Sequence, residues 1–109
     1  MDIQLKRGIL DVCVLAALRE KDSYGYEIIK KVGQYASISE STLYPILRRL
    51  ESAGALTVRE ETYNGRLRKY YAITKKGIQK INTFLAEWQE MARIYHFISE
   101  NTTGRTEKP

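Results

Sequence analysis

The dipeptide Asn64-Gly65 constrains the fold of this chain more than any other feature of its sequence. It separates the runs ALTVREETY and RLRKYYAIT, in which apolar and polar residues alternate as they do in half-buried strands. Asn-Gly is the strongest short signal for a tight turn between antiparallel strands, because both residues tolerate a positive φ. We therefore predict one small β-hairpin at residues 55–74, with Tyr71 facing the core.

Three helical segments precede the predicted hairpin. Residues 5–19 are apolar on nearly every side, which predicts a helix covered from several directions. The run YGYEIIKKVGQYA predicts a second helix, for which Asp22 or Ser23 can serve as the N-terminal cap. A third helix that stops at Ala53-Gly54 is predicted from the one-sided spacing of Leu43, Ile46, Leu47 and Leu50.

A proline lies inside the third helical segment. Ser39 is our preferred cap for this helix, and Ser37 with Glu40 forms a competing capping-box pattern. Either cap leaves Pro45 near the first turn, where its missing amide forfeits at most about one hydrogen bond. In mid-helix a proline would cost roughly 3 kcal/mol. We expect Pro45 to stiffen the end of a helix that is presented rigidly.

The segment after the hairpin predicts one long helix, capped by Thr74 and running to about Ile98. Apolar residues recur at positions 84, 88, 91, 95 and 98, which is the seam of a helix packed lengthwise on another helix. Because this stripe extends well past the compact body, we expect it to pack against a partner.

Together these elements describe a mainly α-helical protein with a small β-hairpin. The second and third helices form a helix-turn-helix, and a hairpin that follows them makes a winged helix-turn-helix. We therefore predict a winged helix-turn-helix DNA-binding domain at residues 1–73, a C-terminal dimerisation helix at 74–98 and a flexible polar tail at 99–109.

The positive charge of the chain is concentrated in one segment. Lys and Arg number 18 against 13 Asp and Glu, for a formal net charge of +5. The segment between Glu61 and Glu87 contains no acidic residue, although several Lys and Arg fall there. A local excess of this kind favours a polyanionic partner such as nucleic acid or an anionic membrane face.

The sequence predicts a cytoplasmic protein without a transmembrane helix or a membrane partner. Its longest apolar run, VCVLAAL, is far shorter than the roughly 20 residues that span a bilayer. Cys13 lies in this run and is expected to pack in the core as a small hydrophobic residue. The N-terminal segment differs from a signal peptide because Asp11 interrupts its apolar stretch and no small-residue cleavage site follows.

The sequence contains few residues of the types that usually act in catalysis or bind metal ions. His96 is the only histidine and Cys13 the only cysteine, which excludes zinc sites built from those ligands. The phosphate-binding patterns GxxxxGK[ST] and GxGxxG do not occur. We therefore predict that the protein is not an enzyme and has no metal site and no cofactor, with His96 on a helix surface or at an interface.

The third helix and the hairpin supply the candidates for contact with double-stranded DNA. Hydroxyl groups and arginine at a helix can bond to phosphates or base edges, and a basic hairpin tip can enter a minor groove. The candidates are Tyr24, Ser39, Ser41, Thr42, Tyr44, Arg48, Arg66 and Lys69. Simpler roles stay open from the sequence: Ser39 as a cap, Thr42 as a neutral residue, Tyr44 as a packing residue, and Arg48 with Arg49 on a solvated helix face.

Three segments of the chain resemble a known family. STLYPILRRLESAGAL and GRLRKYYAITKKG, with YGYEIIKKV upstream, are similar to the hallmark segments of the PadR (phenolic acid decarboxylase regulator) transcription factors over roughly residues 5–98. The resemblance implies a homodimer in which the last helix crosses the first helix of the other subunit. It also implies two recognition helices that address a palindromic operator, and a single helix after the wing is typical of the short subfamily.

The resemblance further implies a ligand. Some short members resemble multidrug-responsive repressors that hold flat aromatic molecules between their subunits. By that likeness Trp88 stacks on a planar aromatic effector, with Leu5, Ile9, Val12, Leu85 and Ala92 nearby; the alternative is that Trp88 fills the dimer core. The expected function is a ligand-tunable repressor, and the alternative function is a winged-helix protein-interaction module without DNA binding.

Overall fold

The computed structural model describes residues 2–102. Between Asp2 and Thr102 the chain forms four helices and one antiparallel hairpin: α1 (Ile3–Ala17), α2 (Gly25–Gly33), α3 (Glu40–Ser52), β1 (Leu56–Tyr63), β2 (Arg66–Ile73) and α4 (Lys75–Thr102). The predicted mainly α-helical fold, with a helix-turn-helix, a wing and a long last helix, is confirmed. In the described part of the chain no helix is long and apolar enough to cross a membrane.

The core lies where α1, α2 and α3 meet the base of the hairpin. The apolar spacing of α3 points one face inward, and the four residues from which this helix was predicted are all buried. The rest of the core comes from α1, α2 and the hairpin: Leu10, Val14, Leu15, Ala17, Leu18, Ile28, Val32, Ala55, Leu56 and Tyr71. Tyr71 therefore faces the core as predicted, whereas Cys13 lies half-buried at the core's margin.

The first two helices begin at residues other than those predicted. The Asp2 carboxylate caps α1, because its Oδ1 accepts hydrogen bonds from the amides of Gln4 at 2.8 Å and Leu5 at 3.1 Å. The N-cap of α2 is Tyr24, where Asp22 or Ser23 was expected. Ser23 is unavailable as a cap because its backbone is paired with that of Tyr71.

Ser39 is the N-cap of α3 as preferred from the sequence, so Pro45 lies just past the first turn, near which it was predicted. Because proline has no amide hydrogen, the carbonyl of Ser41 loses the partner that residue 45 would otherwise supply. Ser41 and Pro45 are both exposed, so water can satisfy that carbonyl. The cost expected from the sequence, about one hydrogen bond, still holds at this position.

The hairpin has the predicted tight turn. Asn64 has φ 50° and Gly65 has φ 76°, which is the backbone of the two-residue turn that matches the twist of the flanking strands. Leu56 pairs with Ile73 at the base of the hairpin and Tyr63 pairs with Arg66 at its tip. Side chains alternate between the two faces of the hairpin along each strand. The pairing of the strands then determines which basic residues of β1 and β2 lie on the same face.

The last helix is attached to the body through its first turn and along α1. Thr74 caps α4 as predicted: its Oγ1 accepts a hydrogen bond from the Gly77 amide at 3.1 Å and donates to the Gly54 carbonyl at 2.6 Å. Gly77 is the only buried residue within Lys75–Thr102. The helix continues past the predicted end at Ile98 to Thr102, so the predicted tail is helical at 99–102, and 103–109 lie outside the described residues.

Candidate nucleic-acid interface

Three hydroxyl side chains form a cluster at the start of α3. The Ser39 Oγ lies 2.9 Å from the Oγ of Ser41 and 3.3 Å from the Oγ1 of Thr42, and all three residues are exposed. Ser39 is the N-cap residue as predicted, but its side chain makes no hydrogen bond to the α3 backbone in the described structure. These two internal hydrogen bonds use two of the three hydroxyl hydrogens, and because all three groups are exposed, the hydroxyls can rotate to donate to a ligand outside the helix instead.

Tyr44 both packs and reaches the surface. Its hydroxyl and ring lie against Gly25 at the start of α2, so the packing role left open by the sequence is present. The residue nevertheless remains 39% exposed. Its position links α3 to α2, the helix before it in the helix-turn-helix.

The two neighbouring arginines of α3 point in different directions. Arg49 forms an ion pair with Asp11 of α1, whereas Arg48 is exposed and makes no ion pair with any described residue. A concave surface of about 300 Å³ between α3 and the hairpin brings Arg48 together with Tyr44 and Lys69. The same surface includes Glu51 and Glu60, so its charge is mixed rather than purely basic.

The two predicted wing contacts lie on opposite faces of β2. Lys69 shares a face with Tyr71 and lines the concave surface beside α3. Arg66 lies at the exposed tip, on the other face of the strand, together with Arg68. The structure therefore brings Lys69, but not Arg66, next to the candidate residues of α3.

Tyr24 is engaged with the hairpin. Its ring centre lies 3.8 Å from the guanidinium carbon of Arg68, and it meets the Tyr70 ring edge to face at 5.8 Å between centroids. Burial of Tyr24 is intermediate, so part of the residue stays accessible. Among the eight residues predicted to contact DNA, Tyr24 therefore has its ring packed against a cation, the guanidinium of Arg68.

Two arginines of the hairpin, Arg59 and Arg68, make contacts although neither is among the residues predicted to contact DNA. Arg59 bonds to Glu61 at 2.9 Å and to Asp22, and these hydrogen bonds raise the pKa of Arg59 above its usual value. A hydrogen bond to the Tyr70 hydroxyl similarly raises the pKa of Arg68. For Arg68 the sequence offers a weak signal, namely the tyrosines on both sides of the arginines in TYNGRLRKYY.

The residues predicted to hold an aromatic ligand are only partly assembled within one chain. Leu5, Ile9 and Trp88 line a groove of about 250 Å³ between α1 and α4, with Phe84 and Met91 beside them. The Phe84 and Trp88 rings are nearly parallel, with centroids 6.1 Å apart. The other three predicted residues lie outside this groove: Val12 lines a neighbouring cavity, and Leu85 and Ala92 line neither.

No group of three or more His, Cys, Asp or Glu residues between Asp2 and Thr102 could hold a metal ion. His96 packs edge to face against the neighbouring Tyr95 ring, with centroids 5.6 Å apart on the exposed part of α4. Burial raises the pKa of the Cys13 thiol, which keeps it protonated and weakly nucleophilic at neutral pH.

Comparison with known proteins identifies the family. Residues 14–83 match the transcriptional regulator PadR-like family. The negative transcriptional regulator PadR of Bacillus subtilis (strain 168) is 30% identical over 86 residues, which cover 74% of this chain and 47% of that protein. The chain thus spans about half the length of that relative.

Solved structures share the fold described above. A PadR family transcriptional regulator from Eggerthella lenta superposes with a TM-score of 0.79 at 34% identity, covering 90% of this chain and 88% of that one. Bacillus subtilis PadR in complex with operator DNA superposes with a TM-score of 0.66 at 29% identity, covering 71% of this chain and 47% of that one. The chain belongs to the PadR-like family of transcriptional regulators, which are not enzymes.

Proposed function

We propose that this protein binds double-stranded DNA as a homodimer, recognises a palindromic operator and represses transcription in the cytoplasm of a prokaryote. The observation that carries the proposal is the position of the exposed hydroxyl end of α3 beside the concave surface that α3 shares with the hairpin. The name of the Bacillus subtilis relative supports repression, and the operator complex of Bacillus subtilis PadR supports DNA binding.

Each part of this surface has a role that fits its chemistry. The hydroxyls of Ser39, Ser41 and Thr42 bond to phosphates or base edges where α3 enters the major groove. Arg48 and Lys69 supply positive charge on one side of that helix. Arg66 at the hairpin tip reaches the flanking backbone or the minor groove.

The exposed apolar side of α4 supports the homodimer. From Trp88 onward, every residue of the apolar seam of α4 is at least half exposed: Trp88, Met91, Tyr95 and Ile98. Leu85, which lies beside this seam, is 53% exposed. A contiguous apolar surface on a small protein marks an interaction site. A second copy of the chain fits because α1, which faces α4, also exposes the apolar side chains Ile3 and Leu5.

A two-fold dimer sets the geometry of the operator. Two recognition helices in successive major grooves require half-sites about one helical turn apart, roughly 34 Å. The proposed effector is a planar aromatic molecule that stacks on Trp88 at the α1–α4 groove and changes the angle between subunits. Because Leu85, Val12 and Ala92 lie outside the groove of one chain, a complete pocket requires the second subunit.

The alternative is a protein-interaction module that does not bind DNA. The segment between Glu61 and Glu87, which has no acidic residue, favours a polyanion over a protein surface of mixed charge. The three exposed hydroxyls at the end of α3 favour DNA as well, because hydroxyl groups are common donors to phosphates.

Selection from random duplexes tests the proposed DNA binding. The purified full-length protein is expected to enrich a palindrome whose half-sites are one helical turn apart. Affinity for that duplex is expected to fall by roughly a thousandfold or more between about 50 and 200 mM salt, as counterions compete for the phosphates. Enrichment of no sequence, with binding that ignores salt, would favour the protein-interaction module.

Sedimentation velocity tests the homodimer and Trp88 fluorescence tests the effector. Trp88→Glu is expected to shift the protein to the monomer, while Gln89→Glu, which adds the same charge to an exposed neighbour, is expected to leave the dimer intact. Quenching of Trp88 by a panel of planar aromatic compounds supports the pocket. A monomeric wild type would contradict the dimer, and unchanged fluorescence across the panel would contradict the effector.

A further inference from the structure

Arg68 is stacked between two tyrosine rings. Its guanidinium carbon lies 3.8 Å from the ring centre of Tyr24 and 4.0 Å from the ring centre of Tyr63. Tyr24 directly precedes α2, whereas Tyr63 is the last residue of β1. The Arg68 side chain therefore connects the outer part of the hairpin to the start of the helix-turn-helix.

This stack is the outermost attachment of the hairpin to the body. From Arg59 to Lys69 every residue is exposed except Arg68, whose burial is intermediate. Nearer the base, the amide of Ser23 donates to the Tyr71 carbonyl at 3.1 Å, and the Tyr71 amide donates to the Ser23 carbonyl at 2.8 Å. Because an isolated two-stranded hairpin is only marginally stable, its direction depends on such attachments.

The chemistry of the stack requires arginine in particular. A planar guanidinium can lie against two aromatic faces at once, whereas a lysine ammonium is a compact, strongly hydrated charge. A guanidinium held in this way is also less available to a phosphate than the guanidinium of Arg66, which is exposed at the tip and makes no ion pair with a described residue.

We propose that Arg68 is the positioning residue of the wing: held by Tyr24 and Tyr63, it fixes the direction in which the hairpin carries Arg66 to the DNA. The proposal rests on the proposed DNA binding and assigns Tyr24 a role in positioning the hairpin. Arg68 itself neutralises no phosphate.

Four variants of the full-length protein test this role. Arg68→Lys keeps the charge and loses the planar stack, Tyr63→Leu removes one ring, and Tyr63→Phe keeps the ring and serves as the matched control. The fourth variant combines Arg68→Lys with Tyr63→Leu. Affinity for the selected duplex is measured by fluorescence anisotropy, and amide hydrogen exchange over residues 62–67 is measured on the free protein.

Arg68→Lys and Tyr63→Leu are each expected to weaken DNA binding on the order of three- to tenfold and to speed amide exchange in the hairpin. The double variant is expected to be no weaker than either single variant, and Tyr63→Phe to match the wild type. A direct phosphate contact by Arg68 would give a different pattern: Arg68→Lys near wild type, Tyr63→Leu without effect, and the double variant near wild type as well.

The exchange measurement separates this proposal from the proposed function, because it requires no DNA. If the wild type binds no duplex, the DNA-binding proposal fails, whereas faster exchange in Arg68→Lys still supports the attachment of the hairpin. If the wild type binds DNA and Arg68→Lys shows wild-type affinity and exchange, the positioning role is overturned.

Discussion

The hydroxyl oxygen of Tyr44 lies 2.6 Å from the position that a Cβ atom on Gly25 would occupy. Helices α3 and α2 thus touch at a point where a methyl group on residue 25 would force the Tyr44 side chain to shift. Gly25, in the Tyr-Gly-Tyr sequence at the start of α2, has no side chain, and the Tyr44 ring occupies the space that a side chain would fill. This contact sets how closely α3 approaches α2.

Gly25→Ala is expected to destabilise the protein by about 1–3 kcal/mol, because the new methyl group overlaps the Tyr44 hydroxyl. Adding Tyr44→Phe removes the nearest atom and leaves the ring carbon at 3.3 Å, so the double variant is expected to regain much of the loss. Urea unfolding of the wild type, both single variants and the double variant measures this coupling. Strictly additive losses would contradict the contact.

Gly77→Ala is expected to cost more, about 2–4 kcal/mol. A Cβ there would lie 2.2 Å from the backbone oxygen of Ala55 and 2.6 Å from Cγ1 of Ile73, and a backbone oxygen cannot rotate away. Gly33→Ala is the matched control, since nothing lies within 4 Å of its Cβ position. Thermal and urea unfolding check the difference, and equal stabilities of the two variants would contradict the close approach.

Arg66→Ala is expected to weaken operator binding without lowering the stability of the protein, because Arg66 is exposed at the hairpin tip. If Arg66 neutralises one phosphate, the slope of log affinity against log salt becomes less steep by about 0.9. Arg93→Ala removes an equal charge from the exposed part of α4 and serves as the control. Anisotropy titrations at several salt concentrations measure both slopes; identical slopes for wild type and Arg66→Ala would remove the tip from the interface.

Tyr71→Phe is expected to lower the sensitivity of stability to alkaline pH. Burial, with Tyr44 and Glu51 nearby, raises the pKa of Tyr71 above its usual 10.0. Above about pH 10 the unfolded chain releases this proton while the folded chain retains it, so the free energy of unfolding falls as pH rises. Urea unfolding at pH 9 and pH 10.5 compares the variant with the wild type and with Tyr35→Phe, which alters an exposed ring. An equal fall in Tyr71→Phe and wild type would contradict this contribution.

The elements of the fold that depend on local patterns were predictable from the sequence. Asn64-Gly65 specifies its turn through the backbone freedom of two adjacent residues, and the buried face of α3 follows from a spacing of three and four residues. Thr74 was predicted as a cap for the same reason, because its partner, the Gly77 amide, is three residues away.

Contacts between distant segments were not predictable in this way. Ser23 looks like a helix cap in isolation, but its backbone pairs with Tyr71, so the cap moves to Tyr24. The stacking of Arg68 on Tyr24 depends on how the hairpin folds back on α2, which no local period encodes. Alternation along β2 already separates Arg66 from Lys69, but which of the two faces meets α3 likewise depends on how the hairpin packs on the body.

The seat of α4 on the body has a mechanical consequence. The helix has 28 residues and is about 42 Å long; its first turn is seated on Ala55 and Ile73 around Gly77, and its first half packs along α1 as far as Met91. Because the helix is long, a tilt of about 5° at its start, made together with α1, moves the far end by roughly 4 Å. A small change in how α4 sits on α1 and on the base of the hairpin is therefore amplified at the far end of the helix.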